Sequence, residues 1–312
     1  MFSLSSVSKS ANYKPFEIKS GDGFMEIAGN LYGGGFIRSY RAFIFYGAFS
    51  GSAHLLKPGN YLISTGSSTP SILGAIKRGP ILDKSIFIPE GATLKDIDAL
   101  LSEAKIIIRG SLIKFPIKEI KSNYAFLKDA KSLEGFLFPD TYRFFLNSQP
   151  NDILEKFLDN FQKKAQPLLA SNKLPITNYQ LLITASLLEK EVPDYGDRRL
   201  VAGIIYKRLD LGMGLQIDAT IVYAKCLETF ITCDKPRILR SDLKLQSSYN
   251  TYLYRGLPPG PIGNPGLEAI RAALNPEKSD YLYYLSDPKT KKTIFSENFD
   301  EHNENRAAYL GY

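Results

Sequence analysis

The sequence is poor in the residues on which several common kinds of active site depend. Its 312 residues include two histidines, two cysteines and no tryptophan. His54 and His302 lie far apart in the chain, which argues against a histidine-rich zinc site and against a Ser-His or Cys-His nucleophile. Acid–base chemistry in this protein is therefore expected to depend on carboxylates.

Long apolar runs and long basic runs are also missing. No stretch of about 18 uncharged apolar residues occurs, so the sequence predicts no transmembrane helix. The opening residues MFSLSSVSKS lack the basic start and apolar core of a signal peptide. No run of five or more basic residues occurs, so a tail that binds nucleic acid is not predicted.

The overall composition is that of a folded protein. Apolar residues make up 44% and charged residues 23% of the chain, which excludes a disordered or collagen-like protein. The length allows one large or two ordinary domains. The net charge of +7 is compatible with several polyanionic neighbours, namely nucleic acid, anionic lipid and an acidic cell-wall polymer.

The two cysteines, Cys226 and Cys233, are close together in YAKCLETFITCDKP. A metal site would usually need a second pair of ligands. A local disulfide would close the intervening loop if the compartment is oxidising. Two unpaired buried thiols fit the sequence equally well, and the spacing does not choose between them.

The first part of the chain predicts a small α+β region. Residues 1–14 form a polar lead-in, and residues 15–128 carry short alternating elements. Strands are expected at FEI, PGNYLI and KSIFIPEG. Helices are expected at GDGFMEIAGNLY, IRSYRAFIFYGAF, STPSILGAIKRG and LKDIDALLSEA, the last with Thr93 as its N-cap.

Residues 129–312 predict a larger α+β domain. TNYQLLITASLLEKEVP is a helix with a capping box of Thr177 and Gln180, apolar almost all round and hence buried on most sides. Further helices are expected to start at Asp197, at Asp218 and at Asn264 followed by Pro265. SSYNTYLYRGLPPGPIGNPG predicts an ordered loop, YLYYLSD and TIFS a hairpin, and NFDEHNENRAAYL a final helix.

Glu189 is the sharpest catalytic candidate. It extends the apolar stripe of Leu182, Ala185 and Ser186, whereas Glu191 points about 200° away on the helix. A carboxylic acid at the edge of an apolar stripe would tend to stay protonated near neutral pH and could serve as a general acid. The alternative is a solvated glutamate at a frayed helix end.

Other polar residues suit the binding of sugars. Asp218 offers a second carboxylate or simply an N-cap, and Gln216 in an extended segment would point to the same side. Glu134 either lines a cleft or pairs with an arginine. The alternating residues of SYNTYLY supply flat rings and an amide, although a half-buried edge strand would show the same pattern: Tyr249, Asn250, Tyr252 and Tyr254.

Taken together, these motifs resemble one family. ASLLEKE, VAGIIYKRLDLGMGLQIDATIVYA, SSYNTYLYRGLPPGPIGNPG, YLYYLSD with TIFSENFDEHN, and LEGFLFPDTYRF occur in the order typical of MltG (YceG-like) endolytic murein transglycosylases. KPGNYLI, AIKRG and IFIPEGATLKDI resemble the LysM-like region of that family more loosely. Departures are the missing transmembrane helix, Ala219 where a proline is usual, and Phe136 and Phe138 where a tryptophan is common.

The resemblance implies an enzyme that cuts nascent peptidoglycan at the periplasmic face of the inner membrane, without a metal or cofactor. It carries the catalytic role over to Glu189. Peptidoglycan strands are the implied substrate, with peptidoglycan synthases as further partners. Together with the residue arguments above, it gives a set of expected substrate-binding residues: Glu134, Tyr142, Gln216, Asp218, Tyr249, Asn250 and Tyr252.

The expected reaction is a non-hydrolytic cut between N-acetylmuramic acid and N-acetylglucosamine that leaves 1,6-anhydro ends. Glu189 would act first as acid and then as base, so that no second carboxylate is needed; ordinary retaining glycosidases use two. Two alternatives remain at this point. One is a non-catalytic glycan-binding or scaffold protein of the cell-wall machinery, and the other is a pyridoxal-phosphate lyase using a lysine such as Lys190 or Lys207.

Overall fold

The computed structural model describes residues 4–8, 12–80, 83–146, 148–228 and 238–311. The chain divides into two compact units, Met1–Lys84 and Ser85–Tyr312. This division lies before the expected domain boundary at residue 128, because apolar residues such as Ile97, Leu112 and Leu127 belong to the core of the second unit. The assignment of a LysM-like region to residues 15–128 stays a prediction.

The first unit combines one two-stranded sheet with helices. Its elements are β1 (Tyr13–Ile18), α1 (Phe24–Gly33), α2 (Tyr40–Phe49), β2 (Gly59–Ser64) and α3 (Thr69–Arg78). Strands β1 and β2 pair antiparallel, with Tyr13 opposite Ser64. Alternate residues of β1 point inward, so Phe16 and Ile18 are buried in a core completed by α1 to α3.

The second unit is mainly helical. It contains β3 (Asp83–Phe87), α4 (Leu94–Glu103), α5 (Lys118–Lys121), β4 (Thr141–Phe145), α6 (Pro150–Lys164), α7 (Gln166–Ala170), α8 (Asn178–Glu191), α9 (Tyr195–Asp210), α10 (Asp218–Glu228), α11 (Leu267–Leu274), β5 (Tyr283–Ser286), β6 (Thr293–Ser296) and α12 (Phe299–Leu310). β3 pairs with β4, and β5 with β6 as the predicted hairpin. The predicted α+β class is confirmed.

Helix α8 lies at the centre of this unit. Thr177 and Gln180 form the predicted capping box, in which each side chain bonds to the other residue's backbone N–H. All residues from Leu181 to Leu188 are buried, and α8 packs against α9, α10 and α11. The prediction of a helix surrounded on most sides is confirmed, and it fixes the end of α8 where Glu189 lies.

Two helices begin at other residues than expected. Asp194, not Asp197, caps α9, since its side chain accepts a hydrogen bond from the Asp197 N–H. Helix α11 begins at Leu267, after an N-cap at Gly266. The predicted cap Asn264 is instead buried, with its side chain engaged by other parts of the unit.

Three further expectations concern local features. Gln216 does not extend a strand, because its φ of 53° lies in the left-handed region. Cys226 is buried in α10 and takes part in a disulfide bond, which excludes the alternative of a free thiol at this position, whereas Cys233 lies outside the described residues. Within the described part of the chain, no helix is both long and apolar enough to span a membrane.

Candidate active site

Glu189 lies in the last turn of α8 with its carboxylate bound by two donors. The Arg198 guanidinium donates from Nη2 to Oε1 at 2.6 Å, and the Gly266 backbone N–H donates to Oε2 at 2.9 Å. Its side chain is only 6% exposed. The apolar stripe beneath it is confirmed, since Leu182, Ala185 and Ser186 are buried. The carboxylate is thus held in one position at the edge of the core.

Arg198 supplies the positive charge at this site. It comes from the first turn of α9 and is itself anchored, because its Nε donates to the Val192 carbonyl at 2.7 Å. Its Nη1 also lies 3.9 Å from Glu268 Oε2, although that side chain is 63% exposed. A guanidinium beside a carboxylate stabilises the charged form. The resting site is therefore an ion pair, a feature that the argument from the apolar stripe alone did not include.

A second carboxyl group, from Glu90, approaches the same place. A Cβ atom added to Gly266 would lie 1.8 Å from Glu90 Oε1, so the Glu90 carboxyl group rests directly against the Gly266 Cα. Burial raises the pKa of Glu90, and so do the charges of Glu189 and Glu268, while Arg198 opposes them. Sequence reasoning missed Glu90, which appeared only as part of the IFIPEG motif.

The turn that carries Glu90 also touches Glu189. Gly91 has a φ of +77° and no side chain, and a Cβ there would lie 3.4 Å from Glu189 Cγ. The Gly91 N–H donates to the Asn264 carbonyl at 2.7 Å. The turn after β3 is therefore packed between the end of α8 and the loop that precedes α11.

That loop is ordered, as predicted, and two buried side chains anchor it. Asn264 donates from Nδ2 to the Ala92 carbonyl at 2.8 Å and accepts from the Leu137 N–H at 2.8 Å. Ser186 Oγ accepts from the Ile262 N–H at 3.0 Å. These bonds place Gly266 over the end of α8, where its N–H reaches Glu189.

Known proteins of one family match this chain over most of its length. The match to the YceG-like family covers residues 16–308. The chain belongs to the YceG-like family. It is 32% identical to the endolytic murein transglycosylase of Bacillus subtilis strain 168, over 94% of this chain and 84% of that protein.

Two further relatives support this membership. The endolytic murein transglycosylase of Streptococcus pneumoniae strain D39 is 29% identical over 96% of this chain, which spans 59% of that longer protein. The 2.6 Å crystal structure of a YceG-like protein from Listeria monocytogenes is 31% identical, with a TM-score of 0.60 over 95% of this chain and all of that one.

Of the expected substrate-binding residues in this YceG-like chain, Glu134 lies in the interior. Its carboxyl oxygens accept from the Leu94 N–H, from Asn264 Nδ2 at 3.2 Å and from the Tyr223 hydroxyl at 3.0 Å. Burial raises the pKa of Glu134 to about 7, although the hydrogen bonds from Tyr223 and from the Leu94 N–H act in the opposite direction. The geometry favours a role in joining α4, α10 and the loop, rather than direct contact with a ligand.

Tyr142 and Asn250 are also committed to internal bonds. The Tyr142 hydroxyl donates to the Phe138 carbonyl at 2.5 Å, and its ring packs on Phe157 in the core. Asn250 is fully buried and donates to the carbonyls of Leu243 and Leu245. Both residues are buried and bond to nearby backbone carbonyls, so the geometry favours a structural role for each.

Tyr249 lies beside the Glu134 network but remains partly accessible. Its ring centroid is 4.9 Å from that of Tyr223, whose hydroxyl binds Glu134. Burial raises the pKa of Tyr249 to about 12, so the phenol stays neutral at physiological pH. A partly exposed neutral phenol ring of this kind suits contact with a sugar.

Asp218 and Tyr252 lie near Glu191, not near Glu189. The Tyr252 hydroxyl donates to Asp218 Oδ1 at 2.5 Å, and the Tyr284 hydroxyl donates to Glu191 Oε2 at 3.1 Å. Burial raises the pKa of Glu191 to about 7, with the nearby charge of Asp218 acting in the same direction and the Tyr284 hydrogen bond acting against it. Gln216 is exposed just before this cluster. Asp218 and Tyr252 thus lie with Glu191, which points away from Glu189 on α8.

Proposed function

We propose that this chain is an endolytic lytic transglycosylase of peptidoglycan, with Glu189 as a catalytic residue. The main support is the geometry of the Glu189 carboxylate, which accepts hydrogen bonds from Arg198 and from the Gly266 N–H. The carboxylate lies at the end of the buried helix α8, beneath the loop that precedes α11. The relatives from B. subtilis and S. pneumoniae are named endolytic murein transglycosylases. Their names and this geometry support the same reaction.

The reaction exchanges one C–O bond for another within a glycan strand. The bond from C1 of N-acetylmuramic acid to the leaving N-acetylglucosamine oxygen breaks with oxocarbenium character. The muramyl 6-hydroxyl then attacks C1 and loses its proton, closing a 1,6-anhydro ring. One proton enters the leaving oxygen and one leaves the 6-hydroxyl, so no water is consumed. A fixed carboxylate such as Glu189 is suited to accept the second proton.

Product analysis tests this proposal. Purified peptidoglycan is digested with the protein, and the new ends are identified by mass spectrometry. We expect anhydromuramic ends and an internal pattern of cuts. Reducing ends alone would show a hydrolase and refute the transglycosylase assignment. Release of no fragments, with binding to sacculi retained, would favour the non-catalytic scaffold alternative, which the names of the relatives do not support.

Glu189→Gln tests the assignment of the residue. Glutamine keeps the shape and an acceptor oxygen but cannot take up the proton, so we expect cutting to fall by at least 100-fold. Glu277→Gln is the matched control, since Glu277 is an exposed partner of Arg199 away from this site. Full activity of Glu189→Gln would show that another group carries the reaction.

We further propose that the protein works outside the cytoplasmic membrane, where its polymer substrate lies, beside peptidoglycan synthases. Its net charge of +7 suits an acidic polymer and an anionic lipid surface. Cleavage of the protein by external protease in cells with a permeabilised outer layer would support the location. Crosslinking to a synthase in cells would support the partner, and protection from the protease would refute the location.

A further inference from the structure

We infer that Glu90 is the second carboxyl group of the catalytic site, donating the proton to the leaving oxygen while Glu189 acts as the base. This inference rests on the proposed function and divides its two proton transfers between two residues. The observation behind it is that Glu90 and Glu189 come from different elements and both contact Gly266.

The carboxyl groups of Glu90 and Glu189 lie close enough together to act on one bond. The Glu90 carboxyl group rests against the Gly266 Cα, and the Gly266 N–H lies 2.9 Å from Glu189 Oε2. With ordinary bond lengths, this chain of contacts limits the separation of the nearest carboxyl oxygens to about 8 Å. Paired carboxyl groups of glycoside hydrolases lie about 5–9.5 Å apart. The two groups can therefore reach one glycosidic bond.

The Glu90 and Glu189 side chains differ in burial and in hydrogen bonding. Glu189 is almost fully enclosed, with a donor on each oxygen. Glu90 is largely exposed and only partly buried, and no donor within the described ranges hydrogen-bonds to its carboxyl group. Its backbone is nevertheless fixed, because the next residue, Gly91, donates to Asn264 and Ala92 donates to Pro89. An anchored turn with a free carboxyl group is suited to touch a substrate.

The charges around Glu90 and Glu189 also differ. An ion pair with Arg198 suits Glu189 to the role of base, because the guanidinium stabilises the charged carboxylate. Burial, Glu189 and Glu268 all raise the pKa of Glu90, with Arg198 opposing them. The Lys190 side chain lies along the same turn and adds a second nearby cation. Glu189 forms an ion pair with Arg198, whereas no ion pair within the described residues stabilises the charged form of Glu90.

The chemistry balances without any further reagent. Protonated Glu90 gives its proton to the leaving oxygen as the C1–O bond breaks. Charged Glu189 takes the proton from the 6-hydroxyl as the new O–C1 bond forms. After one turnover Glu90 is charged and Glu189 is protonated. Transfer of that proton from Glu189 to Glu90, directly or through one water, restores the starting state.

The dependence on the leaving group tests this division. Two substrates are compared: purified peptidoglycan, and a short glycan whose terminal N-acetylmuramic acid carries 4-nitrophenol, a good leaving group that needs little protonation. For Glu90→Gln we expect at least a 100-fold loss of kcat on peptidoglycan and less than a 10-fold loss on the nitrophenyl substrate. Glu189→Gln should lose activity on both, and Glu277→Gln on neither.

Equal losses of Glu90→Gln on the two substrates, or no loss on either, would overturn the inference. Melting temperatures of each variant separate loss of fold from loss of chemistry. If Glu90→Gln does not fold, the same two substrates are compared with Glu90→Asp, whose side chain is shorter by one methylene. The chemical nature of the ends that the wild type produces tests the proposed function separately. The comparison of the two substrates requires only that the wild type cuts both of them.

Discussion

Arg198 and Glu189 form an enclosed ion pair, with Nη2 and Oε1 2.6 Å apart and both side chains 6% exposed. This pair joins the end of α8 to the start of α9. It also explains how a carboxylate can remain at the edge of a buried helix, since an unpaired buried charge would be strongly destabilising.

Removing the guanidinium is expected to affect both stability and activity. Arg198→Leu leaves the Glu189 carboxylate enclosed without its cation, and loss of one partner of a buried pair costs about 3–5 kcal/mol. Urea denaturation of the variant measures this loss in the free energy of unfolding. Peptidoglycan cleavage should fall with it. The double variant Arg198→Leu with Glu189→Gln should recover part of the stability but none of the activity. An unchanged midpoint for Arg198→Leu would contradict the buried pair.

A methyl group at position 266 should harm catalysis more than stability. In Gly266→Ala the new Cβ would meet the Glu90 carboxyl group at 1.8 Å, and this end of an exposed side chain can move away. We expect the free energy of unfolding to change by less than about 1 kcal/mol, while cleavage falls at least 10-fold because Glu90 is displaced. Gly29→Ala in α1, which has open space around it, is the matched control. Wild-type cleavage by Gly266→Ala would argue against a catalytic position for Glu90.

The raised pKa of Glu191 predicts a pH-dependent effect of its replacement. The folded value is about 7, above the unfolded value of 4.5, so the folded state binds the proton more tightly. The stability from this group is full below pH 4.5 and is lost as the pH rises through 7.

Glu191→Gln removes this titration. The variant should therefore gain stability relative to the wild type between pH 5 and pH 8, by up to about 3 kcal/mol at 1.36 kcal/mol per unit of pKa. Urea denaturation at the two pH values, with Glu277→Gln as the exposed control, measures the difference. A gap between variant and wild type that is constant with pH would show that Glu191 is not desolvated as the structure indicates.

The Asn264 side chain is expected to be needed for the site's geometry. Asn264→Ala leaves the buried Leu137 N–H without its acceptor, and an unsatisfied buried group costs about 1–3 kcal/mol. It also removes the side-chain donor to the Ala92 carbonyl and to Glu134, although the Ala92 carbonyl keeps the Asn264 backbone N–H. The melting temperature and cleavage should both fall, because the loop that carries Gly266 loses its anchor. Asn275→Ala at the exposed end of α11 provides the comparison, since its side chain caps only its own helix. Similar small effects of the two variants would contradict the anchoring role.

The elements that the sequence predicted well are those with strong local signals. The capping box of Thr177 and Gln180, the buried face of α8 and the β5–β6 hairpin all depend on residues close together in the chain. The starts of α9 and α11 were placed wrongly, because aspartate and asparagine cap helices and also bind backbone groups elsewhere. Asn264 shows this well, since its side chain serves residues more than 120 positions away.

The sequence alone determined that Glu189 lies in line with an apolar stripe and points away from Glu191, because an α-helix has a period of 3.6 residues. Only the tertiary structure decided which residues surround the Glu189 carboxylate. Arg198, Gly266 and Glu90 come from three other segments, and their meeting depends on how α8, α9 and two loops pack. Local periodicity places a side chain on a face, whereas the charges that surround it are set by long-range packing.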